Sequence, residues 1–178
     1  PLKLLAPSRI AFGNDLSVDR LRLGAQEAVL QVAGRISPTL DLTASLRDAT
    51  PSLARAFVPN LQADGKISME ARLTGSTSQP KGTIRVSATG LHVRNGAASA
   101  LPAANAVVNA DLNGDWARID MNLDAGPQTR LSASGRVPFA ASGAIDLRVS
   151  GAIDLAIANP MLEVRGRRVK GQLSVDAA

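Results

Sequence analysis

Over most of its length this chain alternates an apolar residue with a polar one. Leu40, Leu42, Ala44 and Leu46 are interleaved with Asp41, Thr43, Ser45 and Arg47. Ile119, Met121, Leu123 and Ala125 alternate with Asp120, Asn122 and Asp124, and Leu131, Ala133, Gly135 and Val137 with Ser132, Ser134 and Arg136. An extended strand sends successive side chains to opposite faces, so a period of two selects strands with one apolar and one wet face. The same pattern covers Leu30 to Ile36, Ile67 to Leu73, Ile84 to Ala88 and Ala106 to Leu112. It predicts about ten strands and leaves little of the chain for anything else.

Residues opposite one another in an antiparallel pair share a face, so parity tests each link. A loop at Ser37-Pro38-Thr39 sets Val32 against Ala44 and Leu30 against Leu46. A loop at Gly126-Pro127-Gln128 sets Leu123 against Leu131 and Met121 against Ala133. A two-residue Asn113-Gly114 turn sets Ala110 against Ala117 and Val108 against Ile119, with Trp116 on the other face. A loop between Gly75 and Gly82 sets Leu73 against Ile84, and a link at 138–142 sets Ala133 against Leu147. Each link keeps the apolar set on one side, which predicts an antiparallel meander. A Ser150-Gly151 turn fails, because it sets Leu147 against Asp154. The unbroken phase from Ile145 to Ile157 predicts one strand over about 143–157, bent at Gly151.

One helix is expected over about 51–58, with Thr50 as N-cap, Pro51 at the first helical position and Pro59-Asn60 as the stop. A second, shorter turn is expected at Ala158-Asn159-Pro160-Met161-Leu162. The apolar fraction of 45% contains only 2% aromatics, so the strands are built from Ala, Val, Leu and Ile. No run approaches the length of a membrane helix. The net charge of +5 is spread over single Arg and Lys residues. Without aromatics to stack bases, it reads as a solvated face and not as a nucleic-acid site. The densest basic cluster, Arg165, Arg167, Arg168 and Lys170, fits a charge-blunted edge strand as well as a phosphate site.

The residues offer little chemistry. With no Cys and one His, a disulfide scaffold, a Cys/His zinc module and a catalytic thiol are excluded. His92 alternates with Leu91 and Val93 and reads as an exposed strand residue. Asp146 and Asp154 fall on the polar face of their strand, and no phosphate-loop glycine pattern occurs. The reading is of a non-enzyme that carries no metal and no cofactor. What remains is the apolar face: Leu30, Val32, Leu42, Leu46, Ile67, Met69, Leu73, Ile84, Val86, Val108, Ile119, Met121, Leu123, Leu131, Ile145, Leu147, Val149, Ile153, Leu155 and Ile157. Alternation fits both a β-sandwich or barrel closed over these residues, which the pattern alone favours, and a sheet folded into a trough that stays open. An open trough would expose more apolar area than a monomer tolerates and would call for a hydrophobic guest.

The stretch Asp64-Gly65-Lys66-Ile67-Ser68-Met69 runs on through Leu73-Thr74-Gly75-Ser76, a polar loop, Pro80-Lys81-Gly82 and the strand Thr83 to Val86. It resembles the repeated unit of the TamB family, β-rich periplasmic proteins of Gram-negative bacteria related to the AsmA-like group. The Leu40-to-Leu46 strand, the helix at 51–58 and Gly65 follow that family's order, and Asn159-Pro160-Met161-Leu162 with Gly166 to Val175 looks like the opening of a further unit. The resemblance covers most of the chain. It implies an all-β antiparallel meander folded into an open taco or half-pipe with an apolar interior, plus one short helix. Residues 1–178 would then form a single β-groove domain, a fragment of a much longer inner-membrane-anchored protein in the periplasm. The implied role is to shield or conduct acyl chains or nascent outer-membrane β-strands toward an Omp85-type barrel, TamA. The alternative is a structural or adhesive β-sandwich or β-solenoid with a closed dry core.

Overall fold

The computed structural model describes residues 2–13, 15–51, 62–140, 143–162 and 166–177. Its strands are β1 (Leu2–Leu4), β2 (Ile10–Ala11), β3 (Ser17–Ala25), β4 (Ala28–Arg35), β5 (Leu40–Ala49) and β6 (Ala63–Gly75). They continue with β7 (Pro80–Val93), β8 (Ala104–Asn113), β9 (Trp116–Ala125), β10 (Arg130–Pro138), β11 (Asp146–Asp154) and β12 (Gln172–Ala177). All belong to one 12-stranded sheet in the order β1-β3-β4-β5-β6-β7-β8-β9-β10-β11-β12, with β2 also pairing β3. Every pairing is antiparallel between neighbours in the chain, apart from β1 with β3. The sheet is therefore a meander. β1 and β12 end the path without pairing to each other, so among the described residues the sheet is open, and the closed core that alternation also allowed is not formed.

Area makes the same point. A compact chain of 18.4 kDa exposes about 8,200 Å², whereas this one exposes 11802 Å². Among the described residues no large side chain is fully buried, and the best-buried apolar ones are mostly alanines such as Ala71, Ala117 and Ala133.

Two expected hairpins have the expected register: Val32 opposes Ala44 and Leu30 opposes Leu46, while Leu123 opposes Leu131 and Met121 opposes Ala133. Three are displaced by two residues. Val108 opposes Met121, because Asn113 stays in the ladder opposite Lys81 and the turn is Gly114-Asp115. Leu73 opposes Gly82, because the Ser76 hydroxyl accepts the Gln79 N–H at 3.0 Å and closes a loop at 76–79, with Gly75 opposite Pro80. Ala133 opposes Val149, because β10 runs on to Pro138 and the link occupies 139–145. All three shifts are even, so every side chain keeps its face.

β11 passes through Gly151 as one strand, but it spans only Asp146–Asp154. Leu155–Ala158 form a 3-10 turn, and α1 (Asn159–Leu162) follows it where a short turn was expected. The Asp154 carboxylate ends the strand by accepting the Ala156 N–H at 2.9 Å. The helix expected at 51–58 falls almost wholly on residues 52–61, outside the described residues.

Register shifts interrupt four strands: β3 between Val18 and Leu21, β5 between Leu46 and Ala49, β6 between Asp64 and Lys66, and β7 between Ala88 and Leu91. Each holds a residue of positive φ: Arg20, Asp48, Gly65 and Gly90. Leu46 and Ala49 are an odd number of residues apart, so in an unbroken strand they would point to opposite faces. The bulge inserts one extra residue and returns Ala49 to the apolar side, opposite Ile67. The same device keeps Leu91 on the face of Ala88.

Candidate functional site

The registers join into ladders that run perpendicular to the strands. One reads Leu4, Leu23, Leu30, Leu46, Met69, Val86, Val108, Met121, Ala133, Val149 and Ala177. It takes one residue from every strand of the path, and none is polar or aromatic. At about 4.8 Å per strand, its ten steps cover roughly 48 Å. A second ladder beside it reads Leu21, Val32, Ala44, Ala71, Ile84, Ala110, Ile119, Gly135 and Leu147. The larger ladder side chains of the central strands are half-buried, from Leu30 through Val149, and only the alanines Ala71 and Ala133 are buried. They shield one another along the rungs, yet among the described residues no second layer covers them.

Glycines set the backbone under this face. A Cβ built on Gly82, whose φ is +131°, would meet the Arg72 carbonyl oxygen across β6. One on Gly151, at φ +151°, would meet the Arg130 carbonyl oxygen of β10. Gly34 and Gly135 have the same relation to Asp41 and Asp146. In each case the partner strand is too close for any side chain, so the position admits only Gly.

Most of the expected lining residues meet in these ladders and the two that flank them, which hold Leu42 with Leu73 and Ile67 with Leu123 and Leu131. Ile153 lies at the margin, opposite Leu173 of β12. Three residues do not belong. Ile145 precedes β11 and is 66% exposed. Leu155 and Ile157 lie in the 3-10 turn, where the chain leaves the strand geometry that alternation assumes. Ile157 instead joins Leu101, Pro102 and Pro127 around a cavity of about 320 Å³ at one end of the sheet. Residues that the sequence reading passed over are Leu21 and Leu23 of β3, Leu4 of β1 and Leu91 of β7. Arg20-Leu21-Arg22-Leu23 does alternate, but the bulge at Arg20 puts it out of phase with Val18.

The opposite face is mostly polar, broken by residues such as Val107 and Trp116. One rung there reads Arg22, Gln31, Ser45, Glu70, Arg85, Asn109, Asp120, Ser134 and Arg148. Two clefts of about 340 and 450 Å³ lie on it, the first among Arg20, Gln31, Thr43, Glu70 and Arg72, the second among Glu70, Arg85, Asn109 and Asp111. Trp116 lies on this face, as expected, with the Arg136 guanidinium 4.9 Å from its ring centre. His92 is half-buried in β7, its Nε2 3.2 Å from the Ser99 carbonyl oxygen. Of the basic cluster, Arg167 and Lys170 are exposed and Arg165 lies outside the described residues.

Comparison with known proteins adds no name to this geometry: no family model matches the chain, and neither a curated protein nor a solved structure matches it.

Proposed function

We propose that the aliphatic face is the inner wall of a groove that shields or conducts hydrophobic cargo, acyl chains or amphipathic β-strands. The continuous ladder from Leu4 to Ala177, half-exposed on an open sheet, carries this reading. A path with no polar group can take a hydrocarbon chain at any point along it, because van der Waals contact needs no particular partner. Its exposure calls for a guest, since monomers rarely leave so much contiguous apolar surface in water. The resemblance to the TamB family supplies the setting: a periplasmic segment of an inner-membrane-anchored protein, working with an Omp85-type barrel in outer-membrane lipid transport and protein assembly. The role is one of carriage, without catalysis.

The test is site-specific photo-crosslinking to a labelled fatty acid, from the aliphatic face at Met121 and from its neighbour Asp120 on the polar face. Capture from Met121 and not from Asp120 supports the groove. Equal capture, or none at either position, sinks it. Met121→Arg should abolish both lipid co-purification and transport. A variant that folds and still carries lipid at the original level would also refute the reading.

A further inference from the structure

The four register shifts place different residues at positive φ. β6 and β7 use Gly65 and Gly90, which take it without strain. β5 uses Asp48, whose carboxylate lies 3.3 Å from the Lys66 ammonium. β3 uses Arg20, at φ +48°. A long side chain in the left-handed region is strained. Among the described residues the Arg20 guanidinium has no hydrogen-bond or ion-pair partner to offset that strain.

Arg20 lines the first cleft of the polar face, of about 340 Å³. Its bulge lies beside Ala33, and the rung from Ala33 runs through Thr43 to Arg72 of β6. β3 and β6 are three strands apart, roughly 14 Å. Ala33 and Thr43 between them are short, and the Thr43 hydroxyl donates to the Ala33 carbonyl at 3.2 Å, so the floor stays low. Two arginines leaning inward from the walls bring their guanidiniums to opposite sides of one small ion. Arg72 also has no partner among the described residues. Gln31 and Ser45 line the same cleft and supply an amide and a hydroxyl. Arg22 opposite Gln31 and Arg85 opposite Glu70 add charge at its margins, so Glu70, the one carboxylate in the lining, is outnumbered.

The donor set selects the guest. A carboxylate has two oxygens, and a single guanidinium fork satisfies both. A terminal phosphate has three, enough for both forks and for Ser45 or Gln31. No aromatic residue lines the cleft to stack a base. We propose that the Arg20–Arg72 cleft binds a terminal phosphate group, carried by a small polar phosphomonoester or by a monoester lipid headgroup. The cleft lies on the face opposite the aliphatic ladders, so this site stands apart from the groove.

Calorimetric titration with inorganic phosphate and phosphorylethanolamine tests the soluble source. Flotation with phosphatidylcholine vesicles, with and without phosphatidic acid, tests the lipid one. Saturable binding is expected, weakened about tenfold or more by Arg20→Gln and by Arg72→Gln, and unchanged by Arg148→Gln on the same face of β11. Binding confined to phosphatidic acid vesicles and lost in both cleft variants supports the site and assigns it to lipid. Arg20→Gly removes the strain together with the guanidinium, so binding should be lost while the urea midpoint rises. A midpoint that falls would show that Arg20 serves the fold, and overturns the proposal. Absence of binding to every probe overturns it, as does binding indifferent to Arg20→Gln and Arg72→Gln. Acetate competing as well as phosphate would also overturn it.

Discussion

On β8, Val108 stands between Val86 and Met121, while its neighbour Asn109 stands between Arg85 and Asp120. The two residues share one backbone and differ only in the face they reach. On the first face the rungs are aliphatic from edge to edge. On the second they mix Arg, Asp, Glu, Ser and Asn, and the ion pairs that form are exposed ones, such as Arg130 with Asp124 at 3.1 Å and Arg118 with Asp120 at 3.8 Å. Exposed pairs of this kind contribute at most about 1 kcal/mol each. The contrast teaches where the fold is held: by the hydrogen-bonded ladder and by aliphatic contact along one face, with the polar face supplying solubility. Changes on the two faces should therefore differ in size, and the predictions rank accordingly.

The largest effect is expected where the aliphatic face leaves no room at all. Gly82→Val puts a β-branched side chain into the Arg72 carbonyl and asks it to adopt φ +131°. Clash and backbone strain together should cost about 3–5 kcal/mol, read as a shift in the urea midpoint. A loss under 1 kcal/mol would mean that the sheet relaxes easily around Gly82 and is not held by the close approach there.

Next comes the direct comparison of faces. Val108→Asp places a carboxylate among aliphatic neighbours and should cost about 2–3 kcal/mol, at the lower end for a buried polar group because the site is only half-buried. Asn109→Asp, one residue away, should stay within about 0.5 kcal/mol. Equal losses would erase the distinction between the faces.

Much of that distinction is legible in the sequence. Period-two alternation fixes which residues share a face, and the meander follows because each link preserves parity. Absolute register is less legible, because parity is blind to even slips: Leu73 meets Gly82 instead of Ile84, and Val108 meets Met121 instead of Ile119. What settles them is turn chemistry, in the Ser76 hydroxyl that closes the 76–79 loop and in the Gly114-Asp115 turn. Bulges hide strands. Arg20 and Asp48 adopt positive φ although neither is Gly, and the apparent break of phase there conceals β3 and the end of β5. Openness is the least legible property, since a strand alternates in the same way whether its apolar face meets a second sheet or a guest.

The polar face offers a finer probe in its single tryptophan. Arg136→Gln removes the cation over the Trp116 ring and should cost about 0.5–1 kcal/mol, with a change in tryptophan emission on the same sample. A spectral change with no stability loss would mark the contact as ornamental to the fold.

The smallest effect is expected at the rim, where Lys66 reaches the bulge of β5. Its ammonium lies 3.3 Å from the Asp48 carboxylate and 3.5 Å from that of Glu27. The hydrogen bond to Asp48, then the charges of Asp48 and Glu27, hold the Lys66 pKa above its ordinary 10.5. A pKa raised by folding means that the protonated form is favoured in the native state. The contribution is therefore complete below the unfolded-state value of 10.5 and is lost as pH rises through the higher native-state value. Lys66→Met should lower stability by a small amount that is constant from neutral pH to about pH 10 and vanishes above that range. The same difference should shrink in about 1 M salt, where the Debye length falls to roughly 3 Å. A difference that persisted at high pH and high salt would show that Lys66 packs its alkyl stem on the bulge, and would move this residue from the polar side of the comparison to the aliphatic one.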